Sequence, residues 1–87
     1  MNPSPLPGSA PRVQLLTKHG CHLCADARLV VAQVTQRLGL SWEDVDTDAA
    51  PELAERYAEE IPVLMIDGVQ RDFWRIDPAR LERLLTA

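Results

Sequence analysis

Lys18-His19-Gly20-Cys21-His22-Leu23-Cys24 stands between a short apolar run and a pattern of helical period. Upstream, Val13-Gln14-Leu15-Leu16-Thr17 reads as a buried strand that Gly20 brings to an end. Downstream, Leu23, Ala27, Val30, Val31, Val34 and Leu38 follow the spacing of one helical face, while Asp26, Arg28, Gln33 and Arg37 lie off it. Gly39 suits the end of that helix. A CxxC placed where a strand gives way to a helix sets its first sulfur over the helix N-terminus. There, free N–H groups and the positive end of the dipole stabilise a thiolate. The thiolate is the form that attacks disulfides, so this is a redox geometry.

Further along, Leu40-Ser41-Trp42-Glu43-Asp44-Val45 reads as a second strand whose two acids, unusual inside a sheet, imply one wet face. Asp46-Thr47-Asp48-Ala49-Ala50-Pro51 carries capping residues and a first-turn proline. A short helix is therefore expected from near Asp48 through Leu53, Ala54 and Tyr57. Glu52, Glu55, Arg56, Glu59 and Glu60 read as its solvated face. Pro62-Val63-Leu64-Met65-Ile66 is a continuous apolar strand, Asp67-Gly68 signals a two-residue hairpin turn, and Val69 to Trp74 returns. On the return strand Phe73 and Trp74 alternate faces, which sends one of them to the core. An exposed Trp74 beside Arg75 would instead make a protein-docking patch. Asp77 before Pro78 opens a last helix with Leu81, Leu84 and Leu85 on one stripe.

The order is βαβαββα, with no internal repeat. A strand, crossover helix and second strand make a right-handed parallel unit, and the later hairpin adds antiparallel neighbours. The predicted class is α/β, with a four-stranded mixed sheet and helices on both faces. Four of the seven prolines fall within residues 1–11, which read as a flexible tail, and residues 12–87 as the domain.

Composition narrows the function classes. A chain of 87 residues with 46% hydrophobic side chains builds one core and not two. A net charge of −4 with nine scattered basic residues offers no track for phosphates, so no nucleic-acid partner is expected. Two cysteines cannot form the disulfide framework of a small secreted domain. With no apolar leader and no run long enough to span a bilayer, the chain reads as a cytoplasmic monomer without a membrane partner.

In this order of elements, Thr17-Lys18-His19-Gly20-Cys21-His22-Leu23-Cys24 and Ile61-Pro62-Val63 resemble the small bacterial glutaredoxin-like proteins of the thioredoxin superfamily. The resemblance spans residues 12 to 87. It implies the thioredoxin-like fold, thiol–disulfide oxidoreductase activity, and a cis Pro62 that faces the CxxC. It also implies that the backbone before Pro62 is free to pair with a substrate strand. Three features depart from the family. His22-Leu23 stands where glutathione-using members usually have Pro-Tyr. Asp72-Phe73-Trp74-Arg75-Ile76-Asp77 stands where they have a Gly-Gly turn, and Leu15 holds the place of thioredoxin's buried acid.

Cys21 is the expected nucleophile and Cys24, one turn on, the resolving thiol. Lys18, His22, Leu23, Ile61 and Pro62 are the candidate substrate-binding residues. Lys18 and a protonated His22 supply positive charge beside the first sulfur. The expected partners are a disulfide-bearing protein or glutathione, together with a thiol reductant system. No cofactor is expected, glutathione entering as a co-substrate if at all. Three alternatives stand beside this. One is a non-catalytic binding module of the same fold. Another is a zinc site from His19, Cys21, His22 and Cys24, although closed sites usually draw their ligands from two separated pairs. The third is glutathione-dependent deglutathionylation.

Overall fold

One five-residue strand, β1 (Val13–Thr17), serves both faces of the sheet. Val13 and Leu15 point to one side and Leu16 to the other, and all three are buried. The computed structural model describes residues 12–87; the tail expected over residues 1–11 lies outside the described residues. After β1 come α1 (His22–Leu38), β2 (Trp42–Asp46), α2 (Pro51–Arg56), β3 (Val63–Ile66), β4 (Val69–Phe73) and α3 (Pro78–Thr86). The strands lie in the order β2-β1-β3-β4. β1 runs parallel to β2, with Val13 opposite Trp42, and antiparallel to β3, with Val13 opposite Ile66. This is the mixed α/β sheet that the pattern predicts.

The two faces have separate cores. On one, α1 and α3 lay Ala27, Val31, Val34, Leu81 and Leu85 over Val13, Leu15, Leu64 and Ile66. On the other, Leu16, Val63, Ile61 and Tyr57 enclose Cys24, with Leu53 of α2 packed against them. The thiol pair belongs to this smaller core.

Local chemistry fixes the element ends. Gly39 takes φ 70°, and the Leu40 N–H reaches back to the Thr35 carbonyl at 2.9 Å, closing the C-terminus of α1. Asp67 and Gly68 both have positive φ, 53° and 79°, which matches the tight turn expected of that pair. Asp77 Oδ1 accepts the Ala79 N–H at 3.0 Å and starts α3.

The helix expected to begin near Asp48 starts at its first-turn proline, Pro51, the residue before a proline being pushed out of helical conformation, but two other expectations need correction. Ala50 sits at φ −138°, ψ 78°, and Thr47–Ala49 make a separate 3-10 turn. The helix stops at Arg56, so Glu59 and Glu60 are not on its face; Glu60 Oε1 accepts the Gln70 side-chain N–H at 2.9 Å. Nor does either aromatic of the return strand enter the core: Phe73 is 40% exposed and Trp74 51%. The register shifts between Leu64 and Met65, β4 ends at Phe73, and Trp74 turns the chain at φ 62°. Ile76 fills the core instead.

Leu64 lies in the middle of the sheet, fully buried beneath α1 and α3. Leu64→Ala should cost about 2–5 kcal/mol, read as a lower midpoint in denaturant unfolding with an unchanged slope.

Candidate thiol site

The first residue of the pair caps α1. Cys21 adopts extended backbone, φ −102° and ψ 115°, and its Sγ accepts the Cys24 N–H at 3.2 Å. A sulfur thus does at this N-terminus what a Ser or Asp oxygen ordinarily does. The same turn separates the two thiols by environment: Cys21 is half-buried and Cys24 fully buried.

Burial pushes the Cys24 thiol from its ordinary 9.0 up to about 11, and its hydrogen bond with Cys21 adds to the effect. A backbone hydrogen bond at Lys18 and the charge of Arg28 act in the opposite direction.

The second polypeptide segment at the site is Ile61-Pro62, whose peptide bond is cis as the resemblance implied. Ile61 and Val63, on either side of Pro62, pack in the core that holds Cys24, and Cys21 lies against it. Pro62 is itself fully buried, and its carbonyl accepts the Trp74 N–H at 2.8 Å.

The remaining candidates fall on two sides of Cys21. Lys18 and His22 are exposed and line a hollow of about 520 Å3 that also takes in Cys21, His19 and Arg28. Leu23 and Ile61 line a separate hollow of about 430 Å3, completed by Asp72, Phe73, Trp74 and Arg75. Trp74 is fixed there by its indole N–H, which donates to the Glu59 carbonyl at 2.8 Å, and by an edge-on contact with Phe73 at 4.9 Å between ring centres. Among the described residues no group of three His, Cys, Asp or Glu side chains is arranged to hold a metal ion, and the run from His19 to Cys24 forms none.

Sequence reasoning missed a polar chain beside the pair. Thr17 Oγ1 donates to Asp44 Oδ1 at 2.6 Å, and Arg28 Nε donates to Asp44 Oδ2 at 2.6 Å. By spacing alone Arg28 only lies off the apolar face of α1. The available signal was Asp44, an acid out of place in a strand.

A CxxC capping a helix beside a cis proline, on a β2-β1-β3-β4 sheet, defines a thioredoxin-fold protein with a thiol pair. The chain belongs to the glutaredoxin-like domain family (DUF836), which matches residues 12–86. Uncharacterized protein Rv0508 of Mycobacterium tuberculosis is 32% identical over 78 residues, covering 84% of this chain and 80% of that protein. Among solved structures, target protein XcR50 of X. campestris superposes with a TM-score of 0.70 at 27% identity, covering 85% of this chain and 95% of its own. Thioredoxin-2 of the malaria parasite superposes at 0.65 with 17% identity over 85% of this chain and 79% of its own, a likeness of fold alone. Family and fold together support a redox or thiol-related role. Among the described residues, no helix is long and apolar enough to cross a membrane.

The raised Cys24 thiol gives the reduced protein a pH signature. Below pH 9.0 the thiol keeps its proton in the folded and unfolded chains alike. Between there and about 11 only the unfolded chain releases it, so stability falls with rising pH across that window and levels off above it. The loss is on the order of 2 kcal/mol. Urea unfolding of reduced protein at stepped pH should show this fall, and Cys24→Ala should lack it.

Proposed function

We propose that this protein is a dithiol thiol–disulfide oxidoreductase acting on the disulfides of polypeptides or of small thiols such as glutathione. The observation that carries the proposal is the division of labour within one helical turn: a half-exposed Cys21 Sγ at the cap and a fully buried Cys24 that donates its N–H to it. Only the first sulfur is open to a substrate, and the second is close enough to follow.

In the forward cycle Cys21 attacks a substrate disulfide and one substrate thiol leaves. The mixed disulfide on Cys21 is then displaced by Cys24, releasing the second substrate thiol and leaving a Cys21–Cys24 bond. An external thiol reductant system returns the pair to the dithiol. Lys18 and His22 bring polar character to one side of the reacting sulfur. On the other side, Leu23 and Ile61, with Phe73 and Trp74, offer an apolar bed for the chain that carries the disulfide.

Trapping tests this directly. Cys24→Ser incubated with a disulfide-bonded protein should accumulate a mixed disulfide through Cys21, seen as a mass adduct that reductant removes. Cys21→Ser should form none and lose reductase activity to background. A wild-type protein whose two thiols never interconvert with a disulfide under thiol buffers would sink the proposal and leave a binding module.

The same Cys24→Ser protein separates the glutathione route, which needs one cysteine only. With Trp74 in place of the glutathione-binding turn, its turnover of a glutathionylated substrate should fall to less than about a tenth of the wild-type dithiol rate on a protein disulfide. Equal rates would make deglutathionylation the function.

A further inference from the structure

We propose that Arg28, held by Asp44 and Thr17, is a positioning residue for the second thiol: its guanidinium charge helps Cys24 become the thiolate that resolves the mixed disulfide. This rests on the dithiol reading above and adds a residue to it.

Cys24 presents a chemical difficulty. It lies in an apolar core with Leu16, Tyr57, Ile61 and Val63, an environment that opposes ionisation. Arg28 is the residue four positions along α1, on the next turn of the same side. Of the charges acting on the Cys24 thiol, that of Cys21 opposes ionisation and that of Arg28 favours it.

A guanidinium on a long flexible stem is useful here only if it is kept in place. The Arg28 side chain is 41% exposed and would otherwise spread over many rotamers in water. Asp44 of β2 takes its Nε at 2.6 Å, and Thr17 at the end of β1 takes the other carboxylate oxygen at 2.6 Å. Thr17 is in turn pinned, since its carbonyl accepts the Thr47 hydroxyl at 2.8 Å. The hydrogen bond to Asp44 holds Arg28 above its ordinary value, so it is charged wherever the thiols titrate. Lys18, His19 and Asp46 line the same hollow as Arg28 and Asp44. Asp46 is engaged by the Asp48 N–H at 2.9 Å.

In the resolving step Cys24 gives its proton to water, and its sulfur electron pair forms the bond to Cys21. The bond between Cys21 and the substrate sulfur breaks, and the substrate sulfur leaves with that electron pair and takes a proton from water. The two cysteines are oxidised to one disulfide as the substrate disulfide is reduced to two thiols.

The test reads the thiol itself, so it does not need turnover. In a Cys21→Ser background, where Cys24 is the single thiol, its ionisation is followed by ultraviolet absorbance across pH. Adding Arg28→Gln should raise the midpoint by about half a pH unit or more, and Arg28→Lys should restore most of it. High salt should shrink the difference, because the pair is part-exposed. Asp44→Ala discriminates by sign. If Asp44 positions Arg28, its removal raises the midpoint; if Asp44 were merely a nearby negative charge, its removal would lower it. With both cysteines present, Arg28→Gln should slow release of the second substrate thiol about threefold near neutral pH, more than it slows the first attack.

An unmoved midpoint in Arg28→Gln, or a lowered or unmoved one in Asp44→Ala, overturns the inference even where the Cys21–Cys24 disulfide forms normally. A shifted midpoint in a protein that forms no disulfide would retain the electrostatic coupling and defeat the dithiol reading instead.

Discussion

The N-terminus of α1 must satisfy N–H groups that no helical carbonyl can reach, and here one of them is given to a sulfur. That single hydrogen bond, from the Cys24 N–H to Cys21 Sγ, fixes much else about the site. It holds the first thiol at the edge of the protein and, by the rise of one turn, commits the second to the interior. Sulfur is a weaker acceptor than the oxygen of Ser or Asp, so the cap alone does little to anchor the helix. α1 is held by its apolar face against the sheet, and its start is left free for chemistry.

The separation of the two cores follows from this. The larger core under α1 and α3 is built from Val, Leu, Ile and Ala side chains. The smaller one contains the buried thiol and is assembled from segments distant in sequence: the end of β1, the start of α1, Tyr57 beyond α2, and the chain around Pro62. A thiol can occupy such a place because, when neutral, it behaves as a small apolar group. The same burial works against its ionisation, and the nearby guanidinium of Arg28 acts the other way. Stability and reactivity make opposite demands on one sulfur atom.

What the sequence made legible was local. Gly39, Asp67-Gly68 and Asp77-Pro78 each act on backbone within two or three residues, and each stands at the element end predicted for it. The CxxC and Ile61-Pro62 were found for the same reason, as short motifs between strongly patterned elements. The failures came from non-local causes. Whether Trp74 or Ile76 enters the core depends on a register shift opposite Leu64 and Met65 and on a hydrogen bond to the Glu59 carbonyl, neither of which alternation can register. Asp44 looked anomalous in a strand because its two partners, Thr17 and Arg28, lie 27 and 16 residues away in sequence.

Cys21 stands beside two hollows of different residue type. On one side Lys18, His19, His22 and Arg28 gather around Cys21; on the other, Leu23, Ile61, Phe73 and Trp74 form a hollow rimmed by Asp72 and Arg75. Trp74 holds a left-handed backbone conformation that disfavours a large side chain, and two hydrogen bonds secure it there, from its backbone N–H to Pro62 and from its indole to Glu59. A bulky aromatic is thus held firmly at the surface. Arg75 at the rim of that hollow is in no ion pair among the described residues. Under the dithiol reading proposed above, that fixed aromatic surface is a place for the chain that carries the disulfide.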